Sequence, residues 1–187
     1  MNLVKRLIVA SLLPSIIMMT TNSNATNCNK FDASPAFSAK MKGVKKYKFQ
    51  QINSRGGMDE SFSVPGIDSV ILSNGGCDGF ELNAEFNFKK YINGKYQGDW
   101  TAAELIKNIR EFIGKLPAES EFPKRLLAEL DKHEPALLKA KPDNIEGGTL
   151  YVIRDPKYYE KYQRDLIQLG VRSGGLSFYI RSFQPLK

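Results

Sequence analysis

The clearest pattern in the chain lies at residues 80–89, where Phe80, Leu82, Ala84, Phe86 and Phe88 alternate with Glu81, Asn83, Glu85, Asn87 and Lys89. A period of two sends one row into a core and the other into water, as in a strand of an antiparallel sheet. The period changes after Thr101. Leu105, Ile106, Ile109, Phe112 and Ile113 recur at helical spacing, Thr101 and Glu104 stand at capping-box spacing, and Gly114 offers a left-handed stop. A second helix is predicted from Ser120, with Pro123 in its first turn, an apolar face of Leu126, Leu127 and Leu130, and an end before Pro135. Thr149–Ile153 reads as a strand rich in β-branched and aromatic residues. Asp155-Pro156 then caps a third helix expected to run to about Leu169, with Gly170 as its stop. Leu176, Phe178 and Ile180 alternate with Ser177, Tyr179 and Arg181 in a closing strand.

Weaker patterns fill the rest. Tyr47–Ile52 and Val70–Leu72 read as short strands, and Asn53–Asp68, rich in Gly, Ser and Asp with Pro65-Gly66, reads as an exposed loop. Asn74-Gly75-Gly76 and Asn93-Gly94 are turn signals, and Lys139–Gly148 is expected to be a linker. The predicted order is β-β-β-α-α-β-α-β. That order implies an α+β domain, mainly an antiparallel sheet with about three helices packed on one face.

The first 25 residues do not belong to this pattern. Lys5 and Arg6 precede an apolar run from Leu7 to Met19, and the small residues Ser23 and Ala25 follow at the −3 and −1 positions of a cleavage site before Thr26. These are the three parts of a secretory signal. The run is shorter than the roughly 20 residues a membrane span needs, and Pro14 interrupts it. The expectation is a cleaved signal peptide at 1–25 and a single domain at 26–187, periplasmic or secreted, with no transmembrane span after cleavage. Asn27 and Thr26 precede Cys28, so the chain lacks the arrangement for lipidation. Its one glycosylation triplet, Asn24-Ala25-Thr26, straddles the cleavage site, which suits a bacterial envelope protein.

Export changes the reading of charge and cysteine. Lys5 and Arg6 leave with the signal, so the formal charge falls from +7 by two to +5. Lys40, Lys42, Lys45, Lys46 and Lys48 cluster with no acid among them, a candidate contact for an anionic envelope surface. Nucleic acid is not an expected partner in that compartment. Cys28 and Cys77, the only cysteines, are expected to form a disulfide. Closing that loop is worth about 3–5 kcal/mol on the chain-entropy model.

Candidate chemistry is sparse. His133 is the single histidine, which excludes multi-histidine metal sites, and no cofactor or metal site is expected. A Cys77–His133 nucleophile pair conflicts with the disulfide, and the Gly56-Gly57 and Gly75-Gly76 stretches lack the Lys-Ser/Thr of a phosphate loop. Asp59, Glu60, Asp68 and Asp78 could serve a peptidoglycan-directed hydrolase as loop carboxylates. The leading reading is a binding protein, most concretely a periplasmic immunity or inhibitor protein that blocks a toxin or hydrolase, and not an enzyme. Its expected contact residues are Arg55, Met58, Asp59, Glu60 and Phe62 in the loop, and Tyr158, Tyr159 and Tyr162 on the third helix. A ligand-binding module using the basic arm is the remaining alternative.

The address is directly testable. Intact-mass measurement on the exported protein should show a chain beginning at Thr26 and lighter than its reduced form by two hydrogen atoms. Retention of residues 1–25, or alkylation of Cys77 without prior reduction, would refute the signal or the disulfide respectively.

Overall fold

The computed structural model describes residues 34–52, 57–75, 79–88, 100–145, 147–172 and 177–185. Residues 1–25, expected as a signal, together with Cys28, Arg55, Cys77, Asp78 and the expected Asn93-Gly94 turn lie outside the described residues. The fold is α+β. Four strands come first, β1 (Lys45–Ile52), β2 (Gly57–Val64), β3 (Ile67–Gly75) and β4 (Gly79–Asn87). Helices α1 (Ala102–Ile113) and α2 (Phe122–Leu137) follow, then β5 (Asp143–Ile145), β6 (Gly148–Ile153), α3 (Pro156–Tyr162), β7 (Ile167–Arg172) and β8 (Ser177–Pro185).

All eight strands form one antiparallel sheet in the order β1-β2-β3-β4-β8-β7-β6-β5. Two meanders, β1–β4 and β5–β8, are therefore joined through their last strands. The joining ladder runs from Gly79 opposite Pro185 to Asn87 opposite Ser177. In this register Leu82, Ala84 and Phe86 share a face with Ser182, Ile180 and Phe178, while Glu81, Asn83 and Glu85 share the other with Phe183, Arg181 and Tyr179.

The apolar face carries the core. Leu105, Ile106, Ile109, Phe112 and Ile113 of α1 and Phe122, Leu126, Leu130 and Leu137 of α2 are buried over it. Each such burial stabilises the fold by roughly 1.5–3 kcal/mol. Phe178 is the centre of an aromatic group, with ring centroids 5.3 Å from Phe112, 5.0 Å from Trp100 and 6.2 Å from Phe88. The Tyr151 hydroxyl donates to the Trp100 carbonyl at 2.9 Å. Glu129 of α2 accepts from Ser182 Oγ at 3.0 Å and Gln184 Nε2 at 2.5 Å, which pins the helix to β8. Arg110 of α1 bridges to Asp131 and Glu134 of α2.

The caps at Thr101 and Asp155 form as expected. Thr101 Oγ1 accepts from the Glu104 amide at 3.2 Å, Glu104 Oε2 accepts from the Thr101 amide at 2.9 Å, and Asp155 Oδ1 accepts from the Tyr158 amide at 3.2 Å. Gly114, by contrast, ends α1 in right-handed conformation with φ −65°.

Four boundaries differ from expectation. Of the expected loop Asn53–Asp68, residues 53–56 lie outside the described residues and 57–68 hold β2, the Pro65-Gly66 turn and the start of β3, with Val64 paired to Ile67. Gly66 takes φ +82°, as the third position of a type II turn requires. Helix α2 continues through Pro135, whose missing N–H would ordinarily cost about 3 kcal/mol. The added turn buries Leu137 completely, and the Leu138 amide resumes the ladder at Glu134. Asp143–Ile145 in the expected linker pairs with β6. Helix α3 stops at Gln163, left-handed at φ 52°, and the following Ile167, Leu169 and Val171 alternate into the core as β7. Gly170 lies within that strand. The Tyr179 ring crosses it at a distance that leaves no room for a Cβ.

Two carboxylates are buried among the described residues, Glu129 on α2 and, more deeply, Glu60. Glu60 of β2 is 1% exposed and accepts from the amides of Ala36 at 2.8 Å and Phe37 at 2.9 Å and from the Tyr47 hydroxyl at 2.8 Å. These bonds fasten the segment before β1, whose Phe37 packs 4.8 Å from Phe62 and 6.1 Å from Phe122. Burial, and next the bond to Glu60, raise the Tyr47 hydroxyl well above its ordinary pKa. Glu60→Ala should lower stability by about 3 kcal/mol, because it strands several donors at about 1–3 kcal/mol each when buried. Glu60→Gln should cost less, since an amide oxygen can still accept. Urea midpoints at constant slope measure both; an alanine variant as stable as the parent would show the clasp to be dispensable.

Candidate functional site

The outer face of the sheet is mainly polar, with Ile71 exposed on β3 and an aromatic group at one corner. There α3 stands over β8, and Phe183, only 5% exposed, is covered by Tyr158 and Tyr162 at centroid distances of 6.2 and 5.6 Å. Asp155 and Pro156 start this helix and the left-handed Gln163 ends it, which keeps it to seven residues. None of them is buried. Tyr159 is 40% exposed.

Between α3 and the sheet lies a cleft of about 400 Å³, lined by Glu81, Tyr159, Tyr162, Arg164, Asp165 and Arg181, with Gln163, Gln168 and Phe183 completing it. Glu81 of β4 accepts from Arg164 Nη1 at 2.5 Å and lies 3.1 Å from Arg181 Nε. Asp165 accepts from Arg154 Nε at 2.7 Å and Gln168 Nε2 at 2.7 Å. The exposures are unequal. The side chains of Glu81 and Asp165 are 22% and 10% exposed, those of Arg164 and Arg181 both 45% and that of Arg154 55%. The acids form the floor and the guanidiniums the rim, so the mouth is cationic although each charge has a partner. With this exposure such ion pairs add at most about 1 kcal/mol each to stability. Their larger effect is to hold the arginines in fixed orientation. The hydrogen bond to Asp165, and then its charge, raise the Arg154 pKa further. Burial raises the Tyr158 hydroxyl above its ordinary value.

Of the expected contact residues, Tyr158, Tyr159 and Tyr162 belong to this corner. The β2 group does not come with them. Met58, Glu60 and Phe62 are 1%, 1% and 3% exposed, because they occupy the inward row of a strand. Asp59 lies on the opposite face, so Asp59 and Glu60 cannot act together on one substrate. Asp68 is exposed near the start of β3. The five lysines are exposed on β1 and the turns before it. Arg164 stands beside the tyrosine cluster in the sequence, but nothing there points to Glu81, Arg154, Asp165 or Arg181 as its partners in a site. The outer-row positions of Glu81 and Arg181 were legible from alternation, but nothing local announces that strands a hundred residues apart pair.

His133 does not line the cleft. Its Nε2 lies 3.7 Å from Glu129 Oε2 on α2, and its side chain is 14% exposed. Burial chiefly, and the charge of Lys132 next, hold its pKa below the ordinary value, with Glu129 opposing. The unfolded chain then takes up the proton first, near about pH 6.5. Stability should be full above that pH, fall as pH drops through it, and level off below the folded-state pKa. His133→Gln should remove this component of the slope in Tm measured from about pH 7.5 to about pH 5. An unchanged slope would place the acid sensitivity elsewhere.

Among the described residues, no helix is long and apolar enough to cross a membrane. No family model matches this chain, and no curated protein or solved structure does so either.

Proposed function

We propose that the protein is an exported binding domain of the immunity or inhibitor kind, which grips another protein of the cell envelope with the cleft corner formed by α3, β4 and β8. The observation that carries this reading is α3: it buries none of its residues, and it sets Tyr159 at the mouth of a cleft rimmed by Arg164, just after the helix, and Arg181 of β8. Tyr158 and Tyr162 pack on Phe183, which leaves Tyr159 as the exposed aromatic of the helix. Tyrosine and arginine are the residue types that dominate interface energetics, since they bury much area and keep a polar tip. The ion pairs orient the guanidiniums before any partner arrives, which reduces the ordering cost of association.

The cationic rim fits a partner face rich in carboxylates and carbonyls. A basic hydrolase would be repelled by it, so the target is expected to be acidic where it meets α3. The test is an affinity capture from envelope and secreted fractions of the source, comparing the parent with Tyr159→Ala and Arg164→Glu. One stoichiometric protein should be retained by the parent, and either change should weaken its binding by about 30-fold, the scale of a central interface residue. Retention indifferent to both substitutions would exclude this corner as the contact. Suppression of the captured protein's hydrolytic or toxic activity would identify the inhibitor role specifically.

A further inference from the structure

Strand β1 ends the sheet on one side, and its outer row of backbone groups has no neighbour among the described strands. Lys45 and Lys48 pair with Ser63 and Ser61, so that Lys46 and Tyr47 stand against the single Phe62. The extra residue is a β-bulge at Lys46, which takes φ 54°. Because of the bulge, Lys45 and Lys48 both point to the outer face, as Ser63 and Ser61 do, while Tyr47 turns inward to Glu60. Lys40 and Lys42 precede the strand in exposed turns, and Lys46 is exposed as well. None of the five lysines makes an ion pair among the described residues. Beside them Phe49 stands on the core-side row opposite Glu60, beyond the cover of the helices, and is 44% exposed.

We propose that this edge is a docking surface for an anionic phospholipid bilayer, with the lysines over the headgroups and Phe49 at the acyl boundary. Lysines without an ion pair among the described residues attract anionic lipid; Lys45 and Lys48 reach it from the outer face and Phe49 from the core-side face, so the bilayer meets the strand along its open edge. The bulge and the lysines also argue against the other occupant an open edge invites. An incoming strand would find its ladder interrupted at Lys46 and meet charge along the row, the arrangement that blocks strand addition. The surface is separate from the α3 cleft: four strand spacings divide β1 from β8, about 19 Å.

The test uses the full chain and its variants, which share one N-terminal segment, so that its apolar run contributes equally to all. Sedimentation with vesicles of phosphatidylglycerol in phosphatidylcholine should retain the parent, and pure phosphatidylcholine should retain much less. Lys45→Glu with Lys48→Glu should lower the affinity at least tenfold, since each lysine near such a surface multiplies it by about fivefold. The charge-matched Lys139→Glu with Lys141→Glu, before the far edge strand β5, should have a small effect. Added salt should release the protein as the Debye length shrinks from about 10 Å at 0.1 M to about 3 Å at 1 M. Phe49→Trp supplies an independent readout, an emission shift to the blue on phosphatidylglycerol vesicles. Equal loss from both lysine pairs, or a tryptophan at position 49 that stays in water, would overturn the proposal. So would capture by polyglutamate without capture by vesicles, which would assign the edge to acidic polypeptide. Arg164→Glu should leave vesicle binding nearly intact, so failure here is distinguishable from failure at the cleft.

Discussion

Both the core and the candidate site depend on the register of β4 against β8. Leu82, Ala84 and Phe86 meet Ser182, Ile180 and Phe178 on one side of that ladder, and α1 and α2 pack over the row so formed. On the other side the same register sets Glu81 opposite Phe183 and near Arg181, where α3 closes over them. A slip of one residue would carry Phe178 and Ile180 into water and put arginine under the helices. The hydrophobic cost of that slip is what holds the cleft in place. Core stability and site geometry are two faces of one pairing.

The pairing also divides the fold into parts that form differently. The meander β1–β4 is joined by short connections, one of them the two-residue Pro65-Gly66 turn. Closing β8 onto β4 brings together residues about a hundred positions apart, which is entropically slower than any hairpin. Polar side chains reinforce that late closure. Glu129 anchors α2 to β8, and Tyr151 anchors β6 to the chain just before α1. At Gly148, paired with Arg172, a Cβ would approach the Val171 carbonyl oxygen to 2.0 Å, so the β6–β7 approach admits only glycine there.

The sheet manages its two edges unequally. β5 has three residues and offers little to an incoming strand, whereas β1 is long and is defended by charge and a bulge. The cleft and the β1 edge thus sit in different places with different chemistry. The first is a rim of paired arginines with tyrosines, preorganised and partly apolar. The second is a row of lysines with no ion pair among the described residues and, on the other side of the same edge, one exposed ring.

Much of this was legible in the residues. Alternation at Phe80–Phe88 and at Phe178–Ile180, the helical spacing from Leu105 to Ile113 and the caps at Thr101 and Asp155 each depend on about ten neighbouring residues, and each formed as read. The failures have a common cause. Gly, Ser and Asp with Pro65-Gly66 make residues 57–68 read as a loop, and Glu60 takes its inward place between Met58 and Phe62 because Ala36, Phe37 and Tyr47 supply donors from elsewhere in the chain. Ile167, Leu169 and Val171 alternate with Gln168 and Gly170, a strand pattern too short to outweigh the helix begun at Asp155, and the places open on β6 and β8 make it a strand. Sequence by itself determined the class of the fold, its strongest elements and the polar character of their outer rows, because those follow from local periodicity and capping. Tertiary structure alone decided the strand order, the burial of Glu60 and the meeting of Glu81, Arg164 and Arg181. Those depend on contacts between residues up to a hundred positions apart, which local pattern does not encode.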